Sequence, residues 1–117
     1  MAKTESTPVY YIVGDDPIAR LNESNLVVDE LLGNDDRSLA LESFDLTDGG
    51  DEQGREQIID AAIASLMSPP FLTDCRVVVI RDIGAATKEN IEPLLQYFGN
   101  PSSTSFLIMI QGGGRIL

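Results

Sequence analysis

Four short apolar runs alternate along this chain with three segments of helical periodicity. The strand-like runs are residues 9–13, 39–44, 76–81 and 104–110, and the helical segments are 17–32, 55–67 and one ending at Phe98. Strands that alternate with helices predict parallel strands joined by right-handed crossovers, with helices on both faces of the sheet. We therefore predict a three-layer α/β domain over residues 1–117, and we expect it to be a fragment of a longer chain.

Local signals set the expected ends of these elements. Asp16 is suited to cap the first helix and Pro17 to begin it. The acidic, glycine-rich segment 45–54 predicts a mobile surface loop. Near the third helix, Thr87 and Asn90 fall short of a capping box. Because proline is tolerated only in a first helical turn, Pro93 favours a start near Asn90.

The charge and the rare residue types exclude several classes of function. The chain has 19 acidic and 8 basic residues, with a net charge of −11. This balance argues against binding of a phosphate backbone by this domain alone. With no histidine and a single cysteine, Cys75, the chain cannot form a zinc cage, an internal disulfide or a histidine-dependent catalytic site. We also expect no cofactor. The polar start and the lack of a long apolar stretch favour a cytoplasmic protein without a membrane span.

Parallel α/β sheets normally place their ligand sites at the carboxyl ends of the strands. Gly14 stands where a phosphate-binding loop would begin, but the second glycine, the lysine and the hydroxyl residue of that motif are missing. Asp15 and Asp16 lie where phosphates would bind and would repel them. Gln111 and Asp82 stand near the sensor and metal-binding positions of an AAA+ ATPase. The sequence thus predicts a degenerate nucleotide site.

Two other interpretations of these acidic residues remain open at this point. In a receiver-like phosphoacceptor domain, Asp15, Asp16 and Asp82 would gather Mg²⁺ through their carboxylate oxygens. In the structural alternative, Asp16 only caps a helix and Asp82 is a solvated loop residue. A small ATPase fragment is a third possibility.

The segment between the second helix and the third strand carries two large apolar residues. Phe71 and Leu72 follow Pro69 and Pro70, which stiffen the segment and cannot continue the helix. A pre-organised pair loses less conformational entropy on binding, and each side chain contributes about 1.5–3 kcal/mol when fully buried. The pair could therefore anchor a small interface at the amino ends of the strands. Alternatively, both side chains could fold back onto the helix and sheet.

Three stretches resemble one known family. They are residues 10–16 (YYIVGDD), residues 68–79 (SPPFLTDCRVVV), and Asn100-Pro101 before the apolar run 106–110. Together they resemble the amino-terminal domain of the delta subunit of the bacterial DNA polymerase III clamp loader. The resemblance implies an AAA+-like, P-loop-NTPase-like fold without a working phosphate loop. It also implies a non-enzymatic domain that binds the sliding clamp, the β subunit, and helps to open it during DNA replication.

The resemblance further implies which residues bind the clamp. The exposed Leu-Phe pair of the family falls on Phe71 and Leu72, in reversed order. Pro70 and Ser68 precede the pair, and Met67 would assist from the end of the helix. Full-length members carry a lid domain and a collar domain that assembles with the other loader subunits, so we do not expect this domain alone to assemble the loader. We expect it to meet DNA only within the assembled loader.

Overall fold

A four-stranded parallel sheet lies between two helical layers in the computed structural model, which describes residues 9–112. The strands are β1 (Val9–Gly14), β2 (Leu41–Asp45), β3 (Arg76–Arg81) and β4 (Ser105–Gly112). The helices are α1 (Pro17–Leu32), α2 (Arg37–Ala40), α3 (Glu52–Met67) and α4 (Lys88–Phe98), with 3₁₀ turns at Leu46–Gly49 and Ile83–Ala85. The predicted three-layer α/β class is confirmed.

The strand order is β1-β4-β3-β2, so the two most apolar strands lie in the centre. From β1 to β2 the chain crosses the sheet in one direction, and it returns through β3 and β4 in the other. Right-handed crossovers then require α1 on one face and both α3 and α4 on the opposite face. All strand carboxyl ends lie at one edge, called the carboxyl edge, and all amino ends lie at the amino edge.

Each face of the sheet has its own apolar core. On the face covered by α3 and α4, the buried residues are Leu46, Ile59, Ala62, Leu66, Val78, Ile80, Ile83, Leu94, Tyr97 and Leu107. On the face covered by α1 they are Val28, Leu32, Ala40, Cys75, Val77, Val79, Ile108 and Ile110. Successive residues of β3 alternate between these cores, so this strand is buried on both faces as predicted.

The prediction for β1 was wrong on one face. Tyr10 and Ile12 pack against the α1 core, whereas Tyr11 and Val13 are exposed. Since β1 is hydrogen-bonded on one side only, to β4, it is an edge strand within residues 9–112. An apolar run thus identified the strand but not how completely it is covered.

The predicted boundaries of β2 and α3 need correction. Residues 39–40 belong to α2, because Asp36 caps that short helix by accepting a hydrogen bond from the Ser38 N–H at 2.9 Å. Segment 45–54 is packed rather than an open loop: Leu46 is fully buried, and a Cβ atom on Gly54 would overlap the Gly49 carbonyl oxygen. Helix α3 begins at Glu52 because Asp51 caps it.

The start of α4 was also predicted incorrectly. The Thr87 hydroxyl accepts from the Asn90 N–H at 3.1 Å, and Asn90 Oδ1 accepts from the Thr87 N–H at 3.0 Å. This reciprocal pair is a complete capping box in which asparagine replaces the usual Glu or Gln. The helix therefore starts at Lys88 and retains Pro93 in its second turn.

Candidate protein-binding site at the amino edge

The connector between α3 and β3, residues 68–75, presents Phe71 and Leu72 to solvent. Phe71 is 61% exposed and Leu72 is 78% exposed. The alternative in which both side chains fold back onto the helix and sheet is therefore wrong. Met67, the last residue of α3, is also 63% exposed. The structure thus brings three large apolar side chains to one short stretch at the amino edge.

The backbone of the connector explains why the pair stays outside the core. Ser68 ends α3: its N–H donates to the Ser65 carbonyl at 3.1 Å, and its hydroxyl donates to the Ala64 carbonyl at 2.9 Å. Pro69 and Pro70 have fixed φ angles and continue the chain away from the helix. Leu72 has φ +65°, a left-handed conformation that costs about 1–3 kcal/mol and persists only where neighbours enforce it.

Two hydrogen bonds from distant parts of the chain hold the connector on either side. The buried Ser105 hydroxyl donates to the Leu66 carbonyl at 2.6 Å and so fixes the end of α3 to β4. The Asp74 N–H donates to Asp35 Oδ2 at 3.0 Å. Neither Ser105 nor Asp35 stands out in the sequence, because nothing in a linear pattern marks hydrogen-bond partners that are 39 residues apart.

The other predicted binding residues have supporting positions. Pro70 and Ser68 are half-buried. Cys75, the last residue of the connector, is buried in the core on the α1 face of the sheet. Burial, followed by the charges of Asp35 and Asp74, raises the pKa of the Cys75 thiol. The thiol is thus held protonated, and it packs as a small apolar side chain. The arrangement at this edge can bind an apolar partner surface and carries no reactive group within the connector.

The residues of the predicted degenerate nucleotide site lie at the carboxyl edge. Asp16 caps α1, with its Oδ1 atom 3.0 Å from the Ile18 N–H, while Asp15 is exposed. The Arg20 guanidinium donates to the Gly14 carbonyl and also lies beside Gly112. An arginine therefore covers the strand ends where a phosphate loop would expose its N–H groups. A cavity of about 260 Å³ remains between α1 and the sheet.

The carboxylates of Asp45 and Asp82 pair at the ends of β2 and β3. Burial raises the pKa of Asp82, and the neighbouring Asp45 charge raises it further. Burial opposes ionisation of Asp45 as well, but hydrogen bonds from Thr47, the contact with Asp82 and the charge of Arg81 together lower its pKa. Asp82 is therefore the member of the pair that holds a proton more readily.

The receiver-like arrangement is absent from the described residues. In that fold β1 lies between β2 and β3, whereas here β4 separates β1 from β3. Asp82 follows β3 and pairs with Asp45, so it is not gathered with Asp15 and Asp16. Within residues 9–112, no group of three or more Asp, Glu, His or Cys side chains could hold a metal ion.

A comparison with known protein families identifies the family of this chain. Residues 10–114 match the model of the family described as DNA polymerase III, delta subunit. The chain belongs to this family. The matched region includes the entire connector and all four strands except Val9, the first residue of β1.

A solved structure shows the same fold as this delta-subunit chain. It is the Bacillus subtilis DNA clamp loader delta protein YqeN, with a TM-score of 0.66 and 20% identity over 90% of the present chain. The present delta-subunit chain spans 31% of that protein's length. The comparison with curated proteins found no match. No helix among residues 9–112 is long and apolar enough to cross a membrane.

Proposed function

We propose that this domain binds the sliding clamp, the β subunit of DNA polymerase III, through Phe71 and Leu72 and helps to open it. The observation that carries the proposal is the exposure of both side chains on a connector held at both ends. Met67 and Pro70 extend the apolar contact, and Ser68 fixes the direction in which the connector leaves α3. The domain acts as a binding module of the clamp loader.

The size of the apolar pair is sufficient for a specific but small interface. Burying each side chain contributes about 1.5–3 kcal/mol, so the pair contributes roughly 3–6 kcal/mol before the costs of association. Interfaces commonly concentrate their binding energy in a few such residues, which enter pockets of the partner. An apolar pocket on the clamp that accepts two adjacent side chains fits this site.

We also propose that the domain itself neither binds nor hydrolyses nucleotide. Three features of the carboxyl edge support this: Gly14 begins an incomplete phosphate loop, Asp15 and Asp16 repel anions, and Arg20 covers the strand ends. In the longer protein, further domains would join the other loader subunits, and DNA would be met only within that assembly. The whole assembly would work in the cytoplasm.

A titration of the sliding clamp with this chain tests the binding proposal. The double variant Phe71→Ala/Leu72→Ala should lose about 3 kcal/mol or more, a weakening of roughly 100-fold or greater. Calorimetry measures the affinity, and circular dichroism checks that the fold is intact. Because both side chains are exposed, the variant should remain folded.

A matched control removes two other exposed apolar side chains. Ile18 and Leu26 on α1 are 69% and 63% exposed. The variant Ile18→Ala/Leu26→Ala should bind the clamp with unchanged affinity. Equal weakening by both double variants would reject the connector as the binding site, as would full affinity in Phe71→Ala/Leu72→Ala.

A further inference from the structure

Asp35 reaches the connector from a different part of the fold. It lies between α1 and α2, and its Oδ2 atom accepts the Asp74 N–H at 3.0 Å. Asp74 follows Leu72 by two residues, so this bond fixes the chain immediately after the exposed pair. The distal end of the connector thus depends on a side chain that lies outside it.

The turn that carries Asp35 is itself well fixed. Gly33 ends α1 with φ +57°, and its N–H donates to the Asp29 carbonyl at 2.9 Å. The Asp35 N–H donates to the Leu32 carbonyl at 2.8 Å, and Asp36 directly begins α2 as its cap. Because hydrogen bonds hold the backbone before and after Asp35, its carboxylate is presented from a rigid support.

The fixed support matters because Leu72 has an unfavourable backbone conformation. A left-handed non-glycine residue persists only when the surrounding structure enforces it. The buried Ser105 hydroxyl holds the helix side of the connector at Leu66, and Asp35 holds the strand side at Asp74. Release of the strand side would let Leu72 relax to an ordinary conformation and turn its side chain away from its present direction.

We propose that Asp35 is a positioning residue for the Phe71–Leu72 pair. Its carboxylate holds the pair in the binding orientation before the partner arrives, without needing to contact the partner. The inference rests on the proposed clamp binding and adds a residue that sets the affinity of the same site. If the connector is ordered in only some of the free molecules, the apparent affinity is the intrinsic affinity multiplied by that ordered fraction.

Three single variants separate the hydrogen bond from the charge. Asp35→Ala removes both and should weaken clamp binding about three- to tenfold, the effect expected for losing one ordering hydrogen bond. Asp35→Asn keeps an acceptor oxygen without the charge and should bind within about twofold of the unaltered chain. Asp36→Asn removes a charge from the same turn, retains a good helix cap, and should bind normally.

Amide hydrogen exchange supplies a readout that does not depend on the partner. The Asp74 amide should exchange faster in Asp35→Ala than in Asp35→Asn, while the amides of β3 remain protected. A purely structural role would instead lower protection throughout the sheet and leave the affinity of the folded fraction unchanged.

The possible outcomes distinguish this inference from the proposed function. Failure of the unaltered chain to bind the clamp rejects both. Binding by the unaltered chain with equal affinity in Asp35→Ala overturns only the positioning role. Equal weakening in Asp35→Ala and Asp35→Asn also overturns it, because charge rather than the hydrogen bond would then control binding.

Discussion

Two non-glycine residues among those described have left-handed backbone conformations, and they lie at opposite edges of the sheet. Leu72 has φ +65° at the amino edge, and Asp82 has φ +59° at the carboxyl edge. Leucine is unusual in this conformation, whereas aspartate is several-fold more common there. The backbone strain at Leu72 therefore lies within the proposed binding pair. At Asp82 the backbone strain is smaller, but its carboxylate also lies beside the like charge of Asp45.

Replacement of Asp82 by Asn should stabilise the domain at pH 7 by about 0.5 kcal/mol, a modest gain because an exposed pair is screened. The folded-state pKa of Asp82 is raised, first by burial and then by Asp45, so ionisation of Asp82 costs stability. That cost is complete above the folded-state pKa and absent below the ordinary value of 3.8. Urea unfolding of both proteins at pH 7 and below pH 3.8 measures the difference.

The gain from Asp82→Asn should therefore shrink as the pH falls. Asparagine also favours the left-handed conformation, so any gain that remains at low pH reports the backbone preference alone. A gain that grows on acidification would contradict the assignment of the proton to Asp82.

At the scale of elements, α4 depends on a single buried amide. Asn90 is 1% exposed and completes the capping box with Thr87. Its Nδ2 group also donates to the Glu52 carbonyl at 3.3 Å, and Arg55 Nε donates to its Oδ1 at 3.4 Å. One side chain thus joins the start of α4 to the start of α3.

Asn90→Ala should lower the free energy of unfolding by about 2 kcal/mol, since it removes a cap and leaves buried polar groups without a partner. Urea unfolding measures the change. Lys88→Ala, an exposed substitution in the same turn, serves as the control and should change stability by less than about 0.5 kcal/mol. Similar losses in the two variants would show that Asn90 does not join the helices.

Much of this fold follows from local sequence signals, and the remainder depends on contacts between distant residues. Helix α1 begins after Asp16 and ends at Gly33 as predicted, because each of these caps depends on adjacent residues. The start of α4 was missed because the amide of Asn90 replaces a longer side chain. Only the fold shows that Asp82 pairs with Asp45, and that β4 separates β3, which precedes Asp82, from β1, which precedes Asp16.

At the scale of the whole molecule, the amino edge and the carboxyl edge of the sheet have different properties. At the amino edge, Phe71 and Leu72 are exposed on a connector held by Asp35 and Ser105. At the carboxyl edge, Arg20 covers the end of β1 where a nucleotide site would begin. The same parallel sheet fixes both edges, so the proposed binding pair and the residues of the predicted nucleotide site lie at opposite ends of the strands.

Nuclear magnetic resonance mapping of the chain during addition of the sliding clamp tests the central claim most directly. The backbone signals of residues 67–74 should shift or broaden first, while those of residues 14–16 and of Asp45 and Asp82 remain unchanged. Perturbation confined to the carboxyl edge, with residues 67–74 unaffected, would contradict the account.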